Sequence, residues 1–194
     1  MSSALLDEQE AIARALRGDA QAFGALVERY QEVAFRAAYL IVRDAQAAED
    51  VAQDGFIRAH RELRRFRQGE PFRPWLLRIV TNLALNEVRA RGRRVGLAGR
   101  IGALARPSVA PAPAEGVEAA EEQSAVARAI NELPPDDRVV LYLRYFLELP
   151  EREIAVAIGR PPGTVKSRLH RAGGRLRELI EARYPQLIEE QAHG

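Results

Sequence analysis

With 194 residues, 47% of them apolar, the chain can bury one or two real cores, which excludes a wholly disordered protein. Its 29 Lys and Arg nearly balance 27 Asp and Glu, so any attraction to nucleic acid must come from where the charges sit rather than from the formal net charge of +2. Cysteine is absent, and His60, His170 and His193 are scattered, so disulfides, thiolate zinc sites and a cysteine nucleophile are excluded and neither a metal nor a cofactor is expected.

The opening segment MSSALLDEQE has neither a basic start nor an apolar run of signal length, and no stretch reaches a membrane span; a cytoplasmic chain without membrane insertion is expected. Thr81 and Thr164 are its two threonines, and no sustained alternation of apolar and polar residues suggests strands. Helical spacing dominates, and the expected fold class is all-α. Asp19 can cap a helix carrying Phe23, Leu26, Val27, Tyr30, Ala34, Ala37 and Ile41, and Asp44 can cap another carrying Ala48, Val51, Ala52, Phe56 and Ala59. Along the second of these, Glu49 and Gln53, and likewise Asp50 and Asp54, stand four apart, which makes an acidic and amide strip beside the apolar stripe. Such a strip fits a basic partner, and it equally fits a solvated face.

Charge then changes sign. From Asp7 to Asp54 acidic residues outnumber basic ones, whereas from Arg58 to Arg94 eleven arginines face only Glu62, Glu70 and Glu87. A further helix with Leu76, Ile79, Val80 and Leu83 as its apolar stripe follows the loop RRFRQGEPFRPW and ends in the basic run Arg89 to Arg94; Trp75 starts that stripe and reads as a core residue. Residues 95–121 are rich in Gly, Ala and Pro and poor in large apolar side chains, so they read as a flexible linker between two small helical domains, 1–94 and 122–194. About 27 residues reach at most roughly 90 Å.

The second block holds EREIAVAIGRPPGTVKSRLHRA, Glu151 to Ala172, which spells two short helices around a tight turn. Small Ala155 permits a close helix crossing, Gly159 suits a left-handed C-cap, Pro161 and Pro162 suit a helix start, and Thr164 or Gly163 is the expected N-cap. Val165, Leu169, Ala172, Leu176, Leu179 and Ile180 form the inward stripe of the second helix. Its other face carries Lys166, Ser167, His170 and Arg171, and from Arg160 to Arg177 there is no acidic residue. Phosphates attract such a face, and side chains near the helix start can reach base edges in a major groove. An ordinary solvated face of an arginine-rich chain is the alternative.

Taken together, AFGALVERY, AEDVAQDGFIRAHREL and PWLLRIVTNLALNEVR in the first block, with INELPPDDRVVLYLRYFLELPEREIA and GTVKSRLHRA in the second, resemble bacterial RNA polymerase sigma factors of the extracytoplasmic-function (ECF) type, which keep sigma domains 2 and 4. The resemblance implies a non-enzymatic subunit that binds core RNA polymerase and promoter DNA. It implies that Glu49, Asp50, Gln53 and Asp54 dock on the clamp helices of the largest subunit, and that domain 4 meets the flap region. It further implies that Thr164, Lys166, Ser167, Arg168, His170 and Arg171 read a minus-35 element. Phe66, Arg67, Phe72 and Asn82 would capture the melted minus-10 element, the aromatic rings by stacking on bases. An anti-sigma partner is implied as well. Some positions depart from the family pattern: His60 and Asn86 stand where an aromatic and an aspartate are common, Arg160 replaces an apolar turn residue, and Gly173 and Gly174 raise the expectation of a kink or frayed end. The rival reading is a stand-alone helix-turn-helix regulator binding operator DNA as a dimer, which has no need of the AED-x-x-Q strip or the WLLRI-x-x-N helix. The promoter sequence and the inducing signal are not written in the chain.

Overall fold

The structure, a computed structural model, describes residues 7–101 and 125–185. Every regular element among the described residues is helical, and the chain divides into two compact units, the first running to Arg89. None of the described helices is long and apolar enough to cross a membrane.

The first unit contains α1 (Glu8–Leu16), α2 (Ala20–Val42), α3 (Ala45–Glu62), a 3₁₀ turn (Leu63–Arg65) and the larger part of α4 (Phe72–Ile101), up to Arg89. Both predicted aspartate caps are present. Asp19 accepts from the N–H groups of Gln21 and Ala22 at 3.0 and 3.1 Å, and Asp44 accepts from that of Ala47 at 2.9 Å, so the orphan donors of α2 and α3 are answered by their own sequence. Arg14 pairs with Asp19 at 2.7 Å, and its hydrogen bond to that carboxyl, ahead of the backbone donors, holds it below the ordinary value. Between α2 and α3 the chain reverses at Arg43, which takes the left-handed conformation at φ 58° and carries its guanidinium 5.4 Å from the Tyr39 ring centroid. A core of Ile12, Leu26, Ile41, Phe56, Phe72, Leu76, Leu77 and Val80 follows from the apolar stripes. Helix α3 meets α4 at Gly55, where a Cβ would lie 2.7 Å from Val80 Cγ2; only glycine lets the two approach so closely.

Helix α4 runs on to Ile101, seven residues past the expected boundary at Arg94. The composition of 95–101 suggests linker, but helix propagation adds one backbone bond per residue and tolerates a Gly-containing end. The remainder of the expected linker, 102–121, lies outside the described residues.

The second unit contains α5 (Ala125–Glu132), α6 (Pro135–Leu141), a π turn (Tyr142–Phe146), α7 (Glu151–Ile158) and α8 (Pro162–Arg183). Its core holds Ile130, Val140, Leu141, Tyr142, Leu143, Leu149, Ile154 and Val165. Tyr142 buries its ring and gives its hydroxyl proton to Asn131 Oδ1 at 2.6 Å, which satisfies the one polar atom it takes inside. The C-terminal half of α8 is tied back by Arg175 to Asp137 on α6, by Arg183 to Glu132 on α5, and by the Tyr184 hydroxyl to Glu132 at 2.7 Å.

Candidate nucleic-acid and polymerase interfaces

On α3 the side chains of Glu49, Asp50, Gln53 and Asp54 are all exposed, while Val51, Ala52 and Phe56 on the other stripe are buried. Gln53 donates to Glu49 at 3.5 Å and Gln46 to Asp50 at 3.3 Å, each across one turn. Exposed bonds of this kind are weak and leave the carboxylates open to a cationic partner. Sequence reasoning passed over Ile57. It stands three residues past Asp54 and is 49% exposed, giving the strip an apolar end of the kind protein interfaces desolvate.

The loop between the 3₁₀ turn and α4 joins two parts of different character. Its exposed middle is Arg67, Gln68, Gly69 and Glu70, turning at Gly69 with φ 89°. Its ends are Phe66 and Phe72, and here the structure corrects the expectation of free stacking faces: Phe66 is 7% exposed and Phe72 is 0% exposed. Phe66, Phe72 and Trp75 pack with ring centroids 5.2 to 5.8 Å apart, and Tyr30 closes on Phe72 at 5.6 Å. Burying two large rings together is worth more than exposing them, so aromatic residues suited to a base have been drawn into the core. Trp75, half-buried in this cluster, matches its expected core role.

Two residues of α1, invisible to local reading, hold this loop. Gln9 accepts from the Gly69 N–H at 3.0 Å and donates to the Glu70 carbonyl at 3.2 Å. Glu8 accepts from the Phe72 N–H at 3.1 Å, capping α4 from another helix, and also receives the Tyr30 hydroxyl. Burial first, and the hydrogen bond to Glu8 second, push the Tyr30 phenol above its ordinary value, so it remains a donor at neutral pH. Some sixty positions separate Gln9 from Gly69, too many for any spacing rule to connect them.

Down α4, Asn82 is exposed, about 15 Å along the axis from Phe72. Arg78, Asn86 and Arg89 share its face at steps of three and four and are exposed as well, a continuous polar stripe that sequence reasoning reduced to Asn82 alone.

In the second unit α7 closes as expected. Gly159 has φ 64°, its N–H reaches the Val156 carbonyl at 3.1 Å, and the Arg160 N–H reaches back to Ala155 at 2.9 Å, a Schellman closure. The next helix starts earlier than expected: Pro161 is the N-cap and Pro162 the first residue, so Thr164 and Gly163 lie inside the first turn. Proline's fixed φ and missing N–H suit that position and remove the need for a side-chain cap. Lys166, Ser167, His170 and Arg171 are exposed on one face; Thr164 and Arg168 are half-buried at its border. Arg171 lies along the helix with Nε 3.3 Å from the Ser167 carbonyl, and Ser167 donates to the Thr164 carbonyl at 3.0 Å. Gly173 and Gly174 do not interrupt α8, whose helix continues to Arg183.

An all-α unit carrying an acidic strip and a polar helix face, followed by a helix-turn-helix unit, defines a two-module transcription factor of the sigma-70 type. The Sigma-70 region 2 family matches residues 26–94 and the Sigma-70, region 4 family matches 123–176. The RNA polymerase sigma-H factor of Pseudomonas aeruginosa is 36% identical over 190 residues, covering 94% of this chain and 96% of that one. The ECF RNA polymerase sigma factor SigW of Bacillus subtilis is 32% identical over 171 residues, covering 84% and 91%. Among solved structures, CnrH in complex with the cytosolic domain of CnrY is similar with a TM-score of 0.66 at 27% identity, covering 91% of this chain and 99% of that one. The chain belongs to the ECF sigma factors.

Proposed function

We propose that this chain binds core RNA polymerase through the α3 strip of Glu49, Asp50, Gln53, Asp54 and Ile57. The exposed face of α8 then engages a minus-35 element, and the α4 stripe with the Arg67–Glu70 loop holds the melted minus-10 strand. The observation that carries this reading is the coexistence, in one chain, of the exposed strip on α3 and the exposed basic face on α8. A stand-alone operator-binding regulator needs the second and not the first. The 23 residues between Ile101 and Ala125 reach at most about 80 Å. Two promoter elements one and a half to two helical turns apart are some 50 to 70 Å apart, within that reach.

In this reading the protein supplies no catalytic group. Strand opening draws on binding energy released when bases and phosphates are captured, and the polymerase carries out phosphoryl transfer. The place of action is the cytoplasm, where the polymerase is. An anti-sigma factor is a further proposed partner, supported by the similar sigma factor RpoE from Bartonella quintana, solved in complex with the anti-sigma factor NepR and matching with a TM-score of 0.62 at 25% identity.

Transcription of a genomic library by core polymerase with and without this protein tests the reading directly. A set of new start sites preceded by shared minus-35 and minus-10 sequences is expected. Sequence-specific binding to DNA by the protein alone, with no start site gained, would instead establish the operator-binding regulator.

A further inference from the structure

The loop Arg67–Pro71 takes its shape from α1 more than from itself. Within it one backbone bond forms, from the Glu70 N–H to the Arg67 carbonyl at 3.2 Å, whereas Gln9 makes two to its middle and Glu8 one to the residue that ends it. The side-chain amide of Gln9 is planar and uses both its ends, as acceptor from Gly69 and donor to Glu70, so it fixes neighbouring peptide groups together. The loop's ends need no such help. Phe66 and Phe72 are already anchored in the aromatic cluster with Trp75, so loss of the Gln9 contacts would leave the loop in place and widen only its range of conformations.

We propose that Gln9, supported by Glu8, is a positioning residue for minus-10 recognition: it presents the exposed Arg67–Glu70 segment to an unpaired base in one geometry, so base choice there depends on α1. The inference rests on the reading that this loop engages the melted strand. Its physical basis is pre-organisation. A loop ordered before it meets its ligand loses less entropy on binding, and a loop restricted to one shape discriminates between bases that a looser one accommodates alike.

The test uses the full chain, free and assembled with core polymerase, and compares Gln9→Ala, Gln9→Glu and the loop variant Arg67→Ala with Gln68→Ala. In the free chain, Gln9→Ala should speed hydrogen exchange of the Gly69 amide by roughly tenfold, since local opening no longer breaks a side-chain bond. In the holoenzyme, transcription from promoters randomised at minus-10 should show base discrimination reduced by about three- to tenfold, with minus-35 discrimination and polymerase affinity unchanged. Gln9→Glu retains the acceptor for Gly69 and loses the donor to Glu70, and it should fall between the two. General destabilisation would instead depress all promoters equally and leave discrimination intact, which overturns the inference, as does an unchanged Gly69 exchange rate. If the loop variant alters minus-10 discrimination and Gln9→Ala does not, the positioning role falls alone; if neither does, the reading of the loop falls and takes the inference with it.

Discussion

Asp137 on α6 is ion-paired with Arg175 on α8, and the aspartate side chain is only 10% exposed while the arginine side chain is 54% exposed. The pair divides the basic recognition helix in two. Its first half offers Lys166, His170 and Arg171 outward, whereas Arg175 and Arg183 are turned to holding the helix on α6 and α5. Positive charge on α8 is therefore not one uninterrupted DNA-facing array. Asp137→Ala should lower stability of the second unit by about 1 to 2 kcal/mol in urea unfolding, because a buried acceptor is lost and an arginine is left without its partner. Asp137→Asn should cost less.

Gly173 and Gly174 sit within α8, and a Cβ built on either meets nothing within 4 Å. Glycine there contributes no close approach that the fold requires, only extra freedom in the unfolded chain. Gly173→Ala and Gly174→Ala should each stabilise the unit by about 0.5 to 1 kcal/mol. A fall in the thermal midpoint would mean that α8 bends here to do its work.

Base reading upstream is proposed for the exposed α8 face of Lys166, Ser167, His170 and Arg171. Arg171→Ala should cost about 1 to 3 kcal/mol at a preferred minus-35 site and relax discrimination at one position, read by run-off transcription from promoter variants. Unaltered promoter choice would place the reading face elsewhere on α8.

Reversing the charge of the α3 strip with Asp50→Arg and Asp54→Arg should weaken capture of core polymerase while circular dichroism of the free chain stays the same, since both side chains are exposed. Ile57→Ala should weaken capture as well, by loss of apolar area rather than charge. Undiminished capture by both variants would remove α3 from the polymerase interface.

Local chemistry made much of this fold legible. Asp19, Asp44 and Gly159 end or begin helices through bonds within a few residues, and the Ala155–Val165 spacing of the helix-turn-helix is equally local. What escaped depends on distant partners. Nothing near Phe66 or Phe72 in sequence says that Tyr30 will close over them, nothing near Gly69 points to Gln9, and Arg43 reverses the chain in a conformation usually left to glycine. The end of α4 is hidden for another reason: the composition of 95–101 suggests linker, whereas the helix continues from its neighbours to Ile101.

The burial of the two phenylalanines changes how DNA opening has to be tested. Phe72→Ala empties a fully buried site and should cost about 3 to 5 kcal/mol, so lost promoter melting in that variant would report an unfolded domain. Arg67 and Asn82 are exposed and can be removed without opening the core. Holoenzyme carrying Arg67→Ala with Asn82→Ala should still footprint the minus-35 element, because α8 is untouched, while permanganate reactivity of minus-10 thymines falls. A promoter already mismatched across the minus-10 region needs no energy to unpair, so it should restore most of the lost transcription. Rescue by the mismatch would place Arg67 and Asn82 in the opening step itself. No rescue, with the footprint retained, would show that the α4 stripe and its loop act after melting or not at all, and the melted strand would have to be held by other residues of this unit.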